Sequence, residues 1–169
     1  LVHQRSLKIH LPEGNFQFSP PKIWISFSED LKLWGNSRPV VLSAKGHWDY
    51  ARVGAGAPPL KTDMGWLLIY HGVTEHHKNP KGIARFMEKF FGEHGETYHT
   101  TYSIGAALFD LKDPGRLIAK SPHPIIFPVK RYEREGFVDN VVFTTGLVVE
   151  NGKDLLLYSG GADRVVTVK

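Results

Sequence analysis

Two segments of the sequence, far apart along the chain, share nearly the same pattern. Gly65–Gly72 and Lys153–Gly160 are both short apolar runs that follow a turn and end in Tyr, one polar residue and Gly. The pair Asn151-Gly152 stands before the second run, and Asn-Gly between apolar runs is the strongest short hairpin signal because both residues accept a positive φ. The repeat therefore predicts two similar units of short β-strands.

Short strands are predicted along most of the remaining chain. They are Leu1–Arg5, Ile23–Ser28, Pro39–Ser43, Tyr102–Leu111, Arg116–Lys120 and Asn140–Glu150. Short strands at close spacing with polar turns favour an all-β propeller, and a β-sandwich is the alternative. Three strands before residue 44, one full blade from Val53 to Ser121 and three strands from Asn140 to Lys169 make a single partial propeller domain over 1–169, with about two and a half blades.

One helix is predicted inside an insertion at about 74–100. Ile83, Phe86, Met87, Phe90 and Phe91 follow the spacing of one helix face. The helix is expected from Pro80 to Phe91, since Pro is accepted in a first turn and Gly92 is a suitable stop. It either packs on the side of a sheet or forms a lid or a subunit contact.

The composition restricts the function classes. The net charge is +4 and the pI about 9.3, but the Lys and Arg residues are scattered, so no nucleic-acid partner is expected. No apolar run approaches the roughly 20 residues of a membrane helix, and no membrane partner is expected. The chain contains no cysteine, which fits a cytoplasmic protein. No metal is expected either, because His76, His77, His94 and His99 lack a converging spacing.

The segment before the first apolar run carries candidate functional residues. A Gly/Pro-rich loop, Gly54–Thr62, contains Lys61, and the strand that follows ends in Tyr70-His71-Gly72. Loops hold functional groups and strands position them. We expect Lys61 and His71 to lie near one another, where they suit a small anion, alone or beside a sugar.

Several uncommon strings occur together in the order found in one enzyme family. They are Ile23-Trp24-Ile25, Gly54–Thr62 with Gly65–Val73, Gly105–Leu111, Tyr132–Val138 with Asn140–Phe143, and Gly161-Ala162-Asp163. In these stretches the chain resembles glycoside hydrolase family 130, the β-mannoside phosphorylases and related mannosidases. The resemblance implies a five-bladed propeller about twice as long as this chain, of which this is the C-terminal half.

The resemblance also implies an activity. It is inverting phosphorolysis of β-1,4-mannosides to α-mannose 1-phosphate, with inorganic phosphate as co-substrate and no other cofactor. The family's general-acid Asp is expected upstream of Leu1, so no catalytic residue is assigned here and the chain alone is predicted to be inactive. The partners are a mannose-containing oligosaccharide and phosphate, with a homo-oligomer or a missing N-terminal half as protein partner.

The resemblance assigns candidate site residues. Lys61, His71 and Tyr102 correspond to phosphate-side residues, with Arg5 and Arg38 as weaker candidates; Asp163 resembles a sugar-hydroxyl acceptor, and Asp49 and Arg52 are further sugar-side candidates. The family usually has Leu-His-Arg where this chain has His3-Gln4-Arg5, so either Gln4 or Arg5 takes the place of the family Arg.

Two alternatives to a phosphorylase stay open. Glu133 and Glu135 keep a β-mannoside hydrolase of the same family possible. A non-catalytic carbohydrate-binding module is the other alternative.

Overall fold

The computed structural model describes residues 1–10, 15–41, 46–77 and 98–169. The strands in these residues are β1 (Val2–Arg5), β2 (Lys8–His10), β3 (Phe16–Phe18), β4 (Lys22–Phe27), β5 (Gly35–Val41), β6 (Arg52–Ala55), β7 (Leu60–Thr62), β8 (Gly65–His77), β9 (Tyr98–Phe109), β10 (Leu117–Lys120), β11 (Val142–Glu150), β12 (Asp154–Gly161) and β13 (Val165–Val168). One short helix, α1 (Arg131–Arg134), precedes β11. The all-β prediction is confirmed, although it included neither α1 nor the strands β2 and β3.

The strands form three main antiparallel sheets. The first sheet has the order β1-β4-β5, the middle sheet β10-β9-β8-β6 with β7 also paired to β8, and the third sheet β11-β12-β13. β2 and β3 form a separate two-stranded ribbon. The five strands of the middle sheet lie in the segment from Val53 to Ser121 that was predicted as one blade, apart from the first residue of β6, and the third sheet supplies three strands near the C-terminus.

The internal repeat has a structural counterpart. β8 contains the first apolar run and is an inner strand of the middle sheet, and β12 contains the second and is the central strand of the third sheet. Asn151 and Gly152 connect β11 to β12 with φ of 51° and 74°. The hairpin prediction is confirmed, since both residues adopt the left-handed conformation that the tight turn requires.

β8 and β9 extend further than the sequence indicated. Their pairing runs from Trp66 opposite Phe109 out to His77 opposite Tyr98, so both strands continue into the segment assigned to the insertion. The helix predicted over 80–91 lies outside the described residues, as does His94. Within the described ranges, no group of three or more His, Cys, Asp or Glu side chains is arranged to hold a metal, and no helix is long and apolar enough to cross a membrane.

The middle sheet is buried on both of its faces. Leu68 and Tyr70 of β8 pack with Ile23 and Val53 in the core between the first and middle sheets. Ile69 packs in a second core with residues of β9, β11 and β12 between the middle and third sheets. Because successive side chains of a strand point to opposite faces, even-numbered residues of β8 face the first sheet and odd-numbered residues face the third.

Candidate functional site

The imidazole of His71 is buried on the face of the middle sheet that packs against the third sheet. Its side chain is 5% exposed, and its ring centroid lies 4.4 Å from that of Phe143 and 6.1 Å from that of Tyr102. Gly54 stands opposite His71 in the β6–β8 register. A Cβ at Gly54 would overlap the imidazole edge, so the glycine makes room for this ring.

Arg52 lies beside this imidazole. It is the first residue of β6, opposite Val73, and its Cζ is 5.9 Å from the ring centroid of Tyr102. Burial, and secondarily the positive charge of Arg52, lower the pKa of His71 to about 4. His71 is therefore neutral at pH 7, with one ring nitrogen as donor and the other as acceptor.

One ring nitrogen of His71 lacks a partner. Nδ1 is buried and makes no hydrogen bond with the residues that the structure describes. Leaving a buried polar atom unpaired costs about 1–3 kcal/mol. Nδ1 is enclosed by the surrounding side chains, so a ligand reaches it only if they move.

Asp163 reaches the same region from the third sheet. It lies in the turn between β12 and β13, and together with Tyr102 and Phe143 it lines a pocket. Ala162 and Asp163 both adopt positive φ, 47° and 51°. A non-glycine residue in this conformation costs on the order of 1 kcal/mol or more, and such strain is concentrated at functional sites.

The loop before β11 holds this strained turn in place. The backbone N–H groups of Phe137 and Val138 both donate to the carbonyl of Ala162, at 2.9 Å and 3.3 Å. Gly136 packs so closely on Ala162 that a Cβ there would overlap it. The five residues Arg52, His71, Tyr102, Phe143 and Asp163 are called the His71 cluster below.

Gln4, and not Arg5, faces the His71 cluster. The Gln4 side-chain amide donates to the carbonyl of Val53 at 3.1 Å, next to Gly54. The guanidinium of Arg5 lies on the opposite face of β1, 5.2 Å from the ring centroid of Trp24. Which of the two residues takes the place of the family Arg stays a prediction.

Lys61 does not join the cluster. It stands opposite Trp66 in the β7–β8 register, and its Nζ is 5.9 Å from the Trp66 ring centroid. Trp66 and His71 are five positions apart on β8, so they point to opposite faces and are separated by roughly 17 Å along the strand. The expectation that Lys61 and His71 lie close together is wrong, and a phosphate role for Lys61 stays a prediction without support from this geometry.

Arg38 is also placed elsewhere. Its guanidinium forms an ion pair with Asp113 in the turn after β9 and lies 5.6 Å from the ring centroid of Phe27. These contacts are on the first-sheet side of the middle sheet. Arg38 is therefore not brought to the His71 cluster, and its assigned role stays a prediction.

Asp49 belongs to a buried polar network on that same side. Its Oδ2 accepts hydrogen bonds from the Tyr70 hydroxyl at 2.9 Å and from Lys120 Nζ at 2.8 Å. Burial and the neighbouring Asp49 carboxylate raise the pKa of Tyr70 well above its ordinary value. Asp49 thus connects the segment before β6 to β8 and β10, and it is not positioned to meet a sugar beside His71.

The two glutamates considered for hydrolysis have other partners. The buried Glu133 carboxylate accepts the backbone N–H groups of Val129 and Lys130 and pairs with Lys169. Burial alone would raise the pKa of Glu133, but these hydrogen bonds outweigh burial and lower it. Glu135 pairs with Arg131 at the exposed surface. Glu133 therefore has the contacts of a structural residue that fixes the start of α1.

Arg52, a sugar-side candidate, lies with the phosphate-side candidates His71 and Tyr102, and its role stays a prediction. The only signal in the sequence is its position two residues before Gly54 at the start of a strand, and the β6–β8 register that gives this position its meaning is not readable from the sequence.

The structure is thus built of antiparallel sheets, with a pocket lined by Tyr102, Phe143 and Asp163 beside His71 and Arg52. The family model described as β-1,4-mannooligosaccharide phosphorylase matches residues 8–169. The chain therefore belongs to glycoside hydrolase family 130, and the resemblance found in the sequence is confirmed.

Relatives of established activity support this membership. The chain is 38% identical to a 1,2-β-oligomannan phosphorylase of Thermoanaerobacter sp., over 88% of this chain and 42% of the relative. It is 38% identical to a β-1,2-mannobiose phosphorylase of Listeria innocua, over 96% of this chain and 37% of the relative. It is 30% identical to a β-1,4-mannooligosaccharide phosphorylase of Ruminococcus albus, over 94% and 39%.

A solved structure agrees with the sequence comparison. The β-1,2-mannobiose phosphorylase from Listeria innocua in complex with β-1,2-mannobiose superposes with a TM-score of 0.74 and 33% identity, covering 99% of this chain and 38% of that one. The chain thus spans about two fifths of the length of these relatives.

Proposed function

We propose that the chain supplies the phosphate side and part of the sugar side of a β-mannoside phosphorylase. The proposal rests on one observation, the convergence of Arg52, His71, Tyr102 and Asp163 on one region between the middle and third sheets. In this proposal, the three main sheets of the chain are blades of the family's propeller. The reaction is inverting phosphorolysis, in which phosphate displaces the leaving sugar and yields α-mannose 1-phosphate.

The cluster matches the needs of this reaction. Hydrolysis with inversion uses a carboxylate to activate water, whereas phosphate is already an anionic nucleophile and must only be held in line with the anomeric carbon. The Arg52 guanidinium offers charge-assisted hydrogen bonds to phosphate oxygens. Neutral His71 and the Tyr102 hydroxyl offer further hydrogen bonds, and the Asp163 carboxylate accepts them from mannose hydroxyls.

The substrate linkage that we propose is β-1,2. Three relatives at 37–38% identity are phosphorylases of β-1,2-linked oligomannan or mannobiose. The β-1,4 linkage expected from the sequence is supported by the description of the family and by the relative at 30% identity. We therefore place β-1,2-mannosides first and β-1,4-mannosides second.

Two measurements test the proposal. Isothermal titration calorimetry of the chain with inorganic phosphate is expected to show binding that Arg52→Gln weakens by about tenfold, the loss of one charge-assisted hydrogen-bond pair. Arg116→Gln is the matched control, because Arg116 pairs with Asp110 in an exposed turn. In a form that also carries the expected general acid upstream of Leu1, ³¹P NMR then follows α-mannose 1-phosphate during incubation with phosphate and β-1,2- or β-1,4-mannobiose. No phosphate binding, or equal binding by the Arg52 variant, would refute the proposal.

Mannoside hydrolysis is the second candidate. The observation in its favour is that few of the candidate cations reach the His71 cluster, since Lys61, Arg5 and Arg38 all lie away from it. A solved relative at 27% identity and a TM-score of 0.66 comes from work on family members that are glycoside hydrolases targeting β-1,2-mannosidic linkages in Candida mannan. In the form that carries the upstream general acid, release of mannose from β-1,2-mannobiose without phosphate would favour this candidate. Mannobiose binding without turnover by that form would favour a carbohydrate-binding module.

A further inference from the structure

A carboxylate stands next to the cation of the His71 cluster. Glu75 follows His71 by four residues on β8, so both side chains start from the same face of the middle sheet. Its Oε1 lies 3.9 Å from Nη2 of Arg52, and the two side chains are 34% and 38% exposed. The Tyr50 hydroxyl donates to the backbone carbonyl of Glu75 at 2.6 Å, which fixes this part of β8.

The contact between Arg52 and Glu75 is close enough for charge attraction and too long for a hydrogen bond. A hydrogen bond between nitrogen and oxygen spans about 2.7–3.2 Å. The guanidinium presents five donors, so several remain for another acceptor. Arg52 is thus placed between a carboxylate of its own chain and the region where a bound anion would meet His71 and Tyr102.

We propose that Glu75 competes with phosphate for Arg52 and keeps the affinity for phosphate low. The Glu75 carboxylate already attracts this guanidinium, so phosphate must weaken that attraction before it gains the full charge of Arg52. Weak binding of the ground state leaves binding free energy for the transition state and allows a phosphorylated product to leave. The inference rests on the proposed phosphate site.

The experiment is a double-mutant cycle measured as phosphate affinity by calorimetry. Glu75→Gln removes the charge and keeps the shape, and it is expected to tighten phosphate binding about fivefold, or about 1 kcal/mol. Glu150→Gln is the matched control, because Glu150 is an exposed carboxylate at the far end of β11 and its loss changes the net charge equally. In an Arg52→Gln background, Glu75→Gln is expected to give no gain, since the two residues act through one contact.

The possible outcomes of the double-mutant cycle separate this inference from the proposed function. A gain that is specific to Glu75→Gln and vanishes without Arg52 supports the proposal. This inference would be overturned if the wild type binds phosphate and Glu75→Gln leaves the affinity unchanged, lowers it, or raises it no more than Glu150→Gln does. The proposed phosphate site would then still stand. Absence of phosphate binding in the wild type and in every variant would overturn the proposed function as well. Thermal unfolding followed by circular dichroism verifies that each variant is folded.

Discussion

As the pH is lowered, the loss of stability that is due to His71 should begin at a higher pH than the loss that is due to the buried Glu133 carboxylate. The pKa of His71 is about 4 in the folded chain and about 6.5 when the chain is unfolded. Between these values the unfolded chain binds more protons than the folded one, so the free energy of unfolding falls as the pH is lowered. Stability from this residue is complete above the unfolded pKa and is lost as the pH falls towards the folded pKa.

The size of the effect follows from the same shift. A change of about 2.5 pKa units corresponds to at most about 3 kcal/mol, and most of it, about 2 kcal/mol, is expected to be lost between pH 8 and pH 4.5. Urea denaturation at a series of pH values in this range measures it. The lowered pKa of Glu133 adds its own loss of stability as the pH approaches the ordinary value of a Glu carboxyl, about 4.3, so the His71 part must be separated with a variant.

The control is His71→Gln, which cannot titrate in this range. Its unfolding free energy at pH 8 will be lower because packing against Phe143 is lost, but the part of the pH dependence that is due to His71 should vanish. The quantity to compare is therefore the difference in slope between wild type and variant. Equal slopes, or an NMR titration midpoint of the His71 ring near 6.5, would refute the argument that burial keeps this imidazole neutral.

Three further predictions concern the site and the buried network. Arg52→Gln should weaken phosphate binding about tenfold and Lys61→Ala by less than about twofold, measured by calorimetry; the reverse order would show that the Trp66 face holds the anion. Lys120→Met should cost about 3 kcal/mol in urea denaturation because Asp49 loses its buried cationic partner, and a loss below about 1 kcal/mol would contradict this reasoning. Neutral His71 offers an acceptor to a protonated phosphate oxygen, so sulfate should bind several-fold more weakly than phosphate at pH 6, and equal affinities would argue against this role.

The sequence predicted the local elements of the fold because their signals are local. The Asn151-Gly152 hairpin depends on two residues that tolerate positive φ, and both adopt it. The apolar run in β8 is buried on both faces from Leu68 to Val73, which is typical of a continuous apolar strand. The helix α1 was missed because it is a single turn, fixed by the Glu133 carboxylate and by Lys169, which is distant in the sequence.

The residues of the site were harder to predict because they depend on the face to which each strand residue points and on the register between strands. Lys61 precedes His71 by only ten residues, but a pairing of Lys61 with Trp66 puts its side chain on the first-sheet face. Arg52 is further away along the chain, yet the β6–β8 register carries it to the His71 face. A shift of one residue in either pairing would exchange the two faces, and no local pattern in the loop between β6 and β7 fixes it.

The two faces of β8 also differ in how their charged side chains are paired. On the first-sheet face the buried Asp49 pairs through Oδ2 with Lys120, while its Oδ1 has no partner among the described residues. On the third-sheet face, Arg52 is only loosely paired with Glu75, and Nδ1 of His71 has no partner among the described residues. Because Asp49 already has a cationic partner and the loosely paired Arg52 keeps donors for an acceptor, we expect an anion on the His71 face and not on the first-sheet face.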